Sequence, residues 1–442
     1  MMDRQQAVNL IKKLTSYTKY YGVVNIEGVQ QGITRFANSQ ISQNTNKSDL
    51  SVSLTLYDGK KEATCTSNVL DDDALKRLAK DTEDLLSCVP KGEHDIFEWR
   101  RQPVKIAEND KDLPVFYNAS GRADTIKQGI STMGDGLVAS GALVLEKKIV
   151  VYGNSTNTED EILFTNLDNV QFNTVVTSTT DSAAGGGETI SHRFGGLNIA
   201  GAFEQAKQRA VMSANPINLS GGDYTVILTP EAVCDLVSYI TWSLNAKRVH
   251  DGLSFCDGNL PQTTSMGGNI TIFDDVNDSR VFPLCFDYEG NQRRTVQLVR
   301  HGVVKNLLFD NKTAHLMGAR PTGHAVSNKG SGGYSLHTVM VGGDSSIEEM
   351  IKNTERGILV SEFHYTNFVD PAFMQVTGLT RNGTFLIEKG NITRAVDTMR
   401  FNQNLVQALD NVSALSKKLS TVNAGGWACV MPAIAIERFN FS

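Results

Sequence analysis

Residues 283–324, PLCFDYEGNQRRTVQLVRHGVVKNLLFDNKTAHLMGARPTGH, set the character of the C-terminal half of this chain. The run 295–310, TVQLVRHGVVKNLLFD, is apolar on both sides of His301-Gly302, and that pair suits a tight turn between antiparallel strands. Ahead of it, Asp287 and Glu289 are spaced by one residue. In an extended chain this puts both carboxylates on one face, roughly 7 Å apart. Gly290 and Asn291 supply a turn, two arginines follow at Arg293 and Arg294, and Pro321-Thr322-Gly323 closes the stretch as a loop. Two readings stay open. Charges held on a stiff sheet beside a glycine loop suit a site. An edge hairpin whose acids and arginines merely pair would look the same, because exposed ion pairs are common and weak.

Working outward, the C-terminal half keeps this strand-and-turn habit. Tyr224 to Leu228 (YTVIL) predicts a buried strand, and Thr229-Pro230-Glu231 starts a helix: threonine caps, proline suits the first turn and glutamate favours the dipole. Val233, Leu236, Val237, Ile240 and Leu244 form that helix's inner face. After His250-Asp251-Gly252 strands and hairpins dominate, interrupted by a helix predicted over 346–356 and stopped by Gly357. The segment 383–397, GTFLIEKGNITRAVD, repeats the pattern of strand, charged turn and strand at no fixed period.

Upstream, Ala7, Leu10, Ile11, Leu14 and Tyr17 predict an opening helix over 3–20. From Val23 to Thr66 the period changes to two, an antiparallel meander of short strands separated by Gly and Asn turns. Residues 71–86 return to helical spacing with acids at the start. The charged, proline-containing segment 90–114 reads as a linker or crossover. Then come a helix over 123–133, strands around a turn at Lys147-Lys148, a further strand from Gln171, a loop at Ala183–Gly187 and a helix over 198–213. The expected fold class is therefore α+β: a mixed α/β N-terminal region with an antiparallel meander, followed by a largely β C-terminal domain. Three regions are expected, at 1–114, 115–218 and 219–442.

At 442 residues the chain exceeds one compact core. Its net charge of -6 and the lack of any long Lys/Arg run argue against nucleic acid as a partner. Six scattered cysteines without a CxxC pair suit reduced thiols in a cytoplasmic protein better than a disulfide framework or zinc ribbon. No window approaches the ~18 apolar residues of a membrane span. The eight histidines include no HExxH pair. Gly134-Asp135-Gly136 lacks dinucleotide-loop spacing, and Lys329-Gly330-Ser331 resembles a phosphate loop only in composition. There is no GxSxG elbow. Cys234, Cys256 and Cys285 sit in apolar contexts where a packed thiol is the commoner outcome.

At this point the chain resembles the TldD/PmbA family, once called modulators of DNA gyrase and associated with peptide processing. The matching elements, in order, are VILTPEAVCDLV (226–237), DGLSF (251–255), TIFDD (271–275), FDYEG (286–290), RRTVQLVRHGVVKNLLFD (293–310), PTGH (321–324), GILVSEF (357–363), TGLTRNGTFLIEKGNI (377–392) and MPAIAIERF (431–439). The resemblance implies a His-Glu-x-x-x-His metal motif on the helix after the YTVIL strand, with a cysteine near the C-terminus as a further ligand. Here the histidine positions fall on Pro230 and Asp235, and only Glu231 survives. Cys429 lies in the right region, though the local match is poor. The resemblance thus implies the PmbA (TldE-like) branch, with no metal or cofactor of its own and zinc expected on a TldD-type partner. The partner is that subunit or a second copy, and the substrate an unfolded peptide bound as an extended strand in a dimer's cleft. Asp287, Glu289, Arg293, Thr322 and Gly323 are the candidates for the cleft or the dimer seam. The alternatives are a stand-alone hydrolase active as a homodimer and a DNA gyrase modulator.

Overall fold

The computed structural model describes residues 2–92, 118–181, 183–261, 265–327 and 330–442. Helix α1 (Arg4–Thr15) starts at a capping box, in which the Asp3 carboxylate accepts from the Gln6 amide and the Gln6 side chain accepts from the Asp3 amide. Its Ala7, Val8, Leu10, Ile11 and Leu14 pack with α2 (Asp72–Cys88) on strands β1 (Tyr21–Ala37), β2 (Gln40–Asp58) and β3 (Lys61–Ser67). After α3 (Ala119–Ile130) come β4 (Leu137–Asn154), β5 (Leu163–Ser178), β6 (Ala184–Ser191) and α4 (Ile199–Met212). These strands make one antiparallel sheet in the order β3-β2-β1-β4-β5-β6. Because β1 pairs with β4 from Val23↔Asn154 to Phe36↔Gly141, residues from 1–114 and 115–218 share that sheet.

Three local expectations are corrected here. The meander consists of long strands rather than short ones, and Gly32 lies inside β1. A Cβ there would stand 2.5 Å from Nη1 of Arg122. That guanidinium is fully buried against the sheet and donates to Thr34, Asn44, Thr45 O and Asn46, so glycine is what admits it. Lys147-Lys148 is not a turn: β4 runs straight through it, paired on both sides. Ala184–Gly187 is strand, not loop. Side chains at Gly185 and Gly187 would come within 2.3 Å of Ala206 O and 2.0 Å of Ala202 O, so the glycines let α4 lie directly on β6. Most of the predicted linker 90–114 and Lys329 lie outside the described residues.

The C-terminal region opens with β7 (Gly222–Leu228), α5 (Pro230–Ser243) and α6 (Ala246–His250). It continues through β8 (Ile272–Asp274), β9 (Val296–Arg300), β10 (Val303–Val304), α7 (Asn311–Leu316), β11 (Thr338–Met340) and α8 (Ile347–Lys352). It ends with β12 (Arg356–Asp370), β13 (Gln375–Glu388), β14 (Asn391–Ala395), β15 (Arg400–Asn404), α9 (Leu405–Asp410), β16 (Val412–Ala424) and β17 (Trp427–Phe441). The sheet path is β10-β9-β8-β11-β17-β15-β13-β12-β7, and β17 also pairs with β7, so five strands close into a ring. The expected hairpin is present: His301 and Gly302 have φ of 48° and 76°, the two positive angles a type I′ turn needs. The helix expected over 346–356 is shorter, because Arg356 already pairs with Glu388 in the sheet.

Val233, Leu236, Val237, Ile240 and Leu244 are buried in the C-terminal core, as their spacing predicts. A separate cluster joins the two sheets: Val23, Val150, Tyr152, Leu163 and Leu167 meet Leu284 and Phe286, with Tyr57, Leu336 and Trp427 packed alongside. The head of the 283–324 stretch is therefore a wedge between the N-terminal sheet and the C-terminal region.

Candidate functional site

The 283–324 stretch gathers its charges, but not on a strand. Residues 287–290 form a turn, which corrects the extended reading. The physical reason is the aspartate itself. One oxygen of Asp287 accepts from the amides of Glu289 (3.0 Å) and Asn291 (2.8 Å), and the other accepts from Ala325 N (3.1 Å). Burial pushes its pKa up to about 6 against those amides and the nearby Arg293. Glu289 accepts from Asn311 N at 2.7 Å, and burial, then Asp287 and Asp310, hold its pKa well above the usual carboxylate range. The Thr322 hydroxyl bonds both the amide and the carbonyl of Phe309. Gly323 has φ 78°, and a Cβ there would sit 2.1 Å from Gln292 O. Asp287, Glu289, Arg293, Thr322 and Gly323 are thus brought together, and their loop docks on the N-terminal sheet where Gly290 meets the Tyr152 ring.

Beneath them lies a fully buried ionic knot that the sequence did not reveal. Asp274 accepts from Ser335 Oγ (2.9 Å), Leu336 N (2.9 Å) and His337 N (3.1 Å) through one oxygen. Its other oxygen faces His324 Nε2 at 3.0 Å and His337 Nδ1 at 3.4 Å, with Arg293 Nη2 3.9 Å from the carboxylate. Nδ1 of His324 meets Thr322 O at 2.9 Å. Both neighbours of that ring are oxygens, while burial pulls the imidazole's pKa down. Burial would raise Asp274, and its two imidazoles outweigh it.

The open space is elsewhere. One face of α5 carries Glu231, Cys234, Asp235, Ser238, Tyr239 and Trp242, the spacing of a single helical stripe. That stripe walls a cleft of about 480 Å³, whose other sides are Glu188 of β6, Glu362 and Phe363 of β12, and Asn423–Gly425 at the β16–β17 turn. Arg209 of α4 reaches in. Its Nη2 is 3.4 Å from Glu231, its Nη1 is 3.8 Å from Glu362, and Nη1 donates to Gly186 O at 2.9 Å. Glu231 also accepts from Gln205 (3.3 Å), Asp235 from Thr366 (2.5 Å), Glu362 from Asn382 (2.7 Å) and Glu188 from Asn423 N (2.9 Å). Burial, reinforced by Glu231 and Glu362, pushes the Glu188 pKa up to about 7. Burial also raises Asp235 and Glu362.

Two of the degenerate motif positions, Glu231 and Asp235, therefore line the cleft, while Pro230 is buried at the head of the helix. Asp287, Glu289, Arg293, Thr322 and Gly323 are not among its lining residues. Glu188, Arg209 and Glu362 were missed because they arrive from three other elements. Only the i, i+4 spacing of Glu231 and Asp235 carried a signal. A metal at this helix finds poor donors: proline has none, and Glu231 is held by a guanidinium. Among the described residues no three His, Cys, Asp or Glu side chains are placed to share an ion. Cys429 of β17, poorly matched by local sequence, is buried in the same core cluster as Cys234.

The profile described as the PmbA/TldA metallopeptidase C-terminal domain matches residues 221–442, half of the chain, and that of domain 1 matches residues 26–86. The chain belongs to the TldD/PmbA family. Its fold is that of family members: TldE from Thermococcus kodakarensis superposes with a TM-score of 0.88 at 17% identity, covering all of both chains. A protein of Thermotoga maritima, described as a candidate modulator of a DNA gyrase, gives 0.82 at 16%, covering 98% of this chain and 99% of that one. A metalloprotease of Methanothermobacter thermautotrophicus is 24% identical over 44% of this chain and 43% of its own length. An uncharacterised protein of Methanocaldococcus jannaschii is 35% identical over 31% of this chain and 30% of its own. The matched part is thus under half of each of these two relatives. No helix among the described residues is long and apolar enough to cross a membrane.

Proposed function

We propose that this chain is the TldE-like component of a TldD/PmbA peptide-processing system, without a zinc site of its own. It works as a dimer with a TldD-type subunit or with itself, and holds an unfolded peptide as an extended strand in the α5 cleft. The observation that carries this reading is the start of α5. Protein-bound zinc takes three or four N, S or O ligands. Here Pro230 offers none, Glu231 is engaged by Arg209 at 3.4 Å, and Asp235 by Thr366 at 2.5 Å.

Peptide capture is supported by the cleft's shape and lining. It lies beside β6, the edge strand of the N-terminal sheet, and Tyr239, Trp242 and Phe363 give apolar contact. Assembly is supported by the end of β12 and the turn after it, where Tyr365, Val369 and Phe373 are 74%, 57% and 69% exposed. Asp287, Glu289, Arg293, Thr322 and Gly323 act in this picture by holding the two sheets in register around the cleft. The test is metal analysis and a peptidase assay on the purified chain, with and without a TldD-type subunit. Activity only in the mixture, with zinc following that subunit, is expected. Stoichiometric zinc together with hydrolysis by this chain alone overturns the reading and returns the stand-alone hydrolase.

A further inference from the structure

We infer that a second pocket, between the N-terminal sheet and the side chains of Tyr288 and Trp427, is a binding site for a primary ammonium ion on an apolar body, of the kind a peptide's N-terminal residue or an alkylamine carries, with Glu27 as its anion. The pocket holds about 370 Å³, within the ~300–1,000 Å³ of small-molecule sites, and none of its described lining residues borders the α5 cleft. Its floor is a sheet face fixed by strand register. Val29 of β1 pairs with Asp49 of β2 and Lys148 of β4, and Glu27 pairs with Ser51 and Val150, so these two rows of side chains share one face. Leu284 and Tyr288 of the wedge close the pocket with Trp427.

The pocket's charges pair off and leave one over. Lys47 stands 3.5 Å from Asp49, and Lys148 stands 3.3 Å from Glu146 with its Nζ 5.6 Å from the centroid of the Trp427 ring. Glu146 also accepts from Gln31 at 2.6 Å and from Asn169 at 3.2 Å. Asn169 donates in turn to Gly426 O at 3.0 Å, which pins the turn ahead of Trp427. Glu27 and Lys148 are diagonal neighbours across β1 and β4, about 7–8 Å apart at Cα. Because Lys148 turns to Glu146, no cation among the described residues stands within salt-bridge distance of Glu27. The protein around Glu27 raises its pKa, against the Tyr288 phenol and Lys148, and an arriving cation relieves that penalty. An ammonium group supplies the missing charge with three donors. Val29, Val150, Leu167, Leu284 and the Trp427 ring are the apolar surface for the body attached to it.

The inference does not rest on peptide capture in the α5 cleft, and its test is separate. The native full-length chain is titrated by calorimetry near neutral pH with leucinamide, isoamylamine and N-acetylleucinamide. Saturable binding of the two ammonium compounds is expected. Tighter binding of leucinamide names a peptide N-terminus as the ligand, and equal binding names an alkylamine. N-acetylleucinamide, which keeps the apolar body and loses the charge, should bind at least about tenfold more weakly than leucinamide. E27Q, which keeps the side chain's shape, should weaken leucinamide by a similar factor while its urea midpoint stays that of wild type. N-acetylleucinamide binding as tightly as leucinamide, an E27Q affinity equal to that of wild type, or no saturable heat from either ammonium compound overturns the assignment.

Discussion

The molecule holds two concentrations of buried charge, and they are built on opposite principles. Around Asp274 a carboxylate is packed against opposite charge: one oxygen takes a hydroxyl and two amides, and the other faces two imidazoles, with Arg293 alongside. Asp287 is likewise filled by backbone amides. Around α5, four carboxylates, Glu188, Glu231, Asp235 and Glu362, border a void of about 480 Å³, and Arg209 reaches two of them, Glu231 and Glu362. Buried charge packed against opposite charge fixes a fold, because removing a partner strands the rest in a low dielectric. Under-compensated charge beside open space is destabilising for the chain alone and is what a ligand or partner can complete.

Three substitutions sharpen or break this contrast, in order of expected effect. Asp274→Ala strands Arg293, His324 and His337 without their anion, and should cost about 3–5 kcal/mol in urea unfolding. A loss under ~1 kcal/mol, the level of an exposed pair, would mean the knot does not hold the fold. Arg209→Met leaves the cleft acids facing one another and Gly186 O without its donor, a cost of about 2 kcal/mol near neutral pH. Because neutral carboxyls no longer repel, that deficit should shrink as pH falls. An equal deficit at pH 5 and pH 8 would place Arg209 with the charges of the Asp274 knot.

Glu188→Gln is the gentlest probe. The folded-state pKa of Glu188 is about 7, above the ordinary 4.5. The folded chain therefore keeps a proton that the unfolded chain releases. Stability from this group is full below about pH 4.5 and is lost as pH rises to about 7. The glutamine variant, never charged, should match wild type at pH 4.5 and melt above it at pH 8. A variant less stable than wild type at pH 8 would show that the ionised carboxylate is wanted there, which sinks the under-compensated view of the cleft.

How legible was this in the sequence? Local periodicity gave α1, α2, α4 and α5 within a few residues, since an apolar stripe at 3.6-residue spacing is a property of neighbours along the chain. The β9–β10 hairpin was equally readable, because His301-Gly302 must supply two positive φ angles whatever surrounds it. Where glycine was taken for punctuation the reading failed. Gly32 makes room for Arg122, and Gly185 and Gly187 make room for α4, partners remote in sequence that only packing brings close. The charges of 287–293 were noticed, but spacing alone does not reveal that the Asp287 lone pairs go to amides, one of them 38 residues away.

By itself, then, the sequence determined the elements, the α+β class and, through the order of its motifs, the family, all of which depend on residues close along the chain. Only the tertiary structure decided which charges are packed against opposite charge and which face open space. Burial and hydrogen-bond satisfaction are properties of the assembled interior, set by side chains that converge from separate elements, and a linear string does not record where they converge.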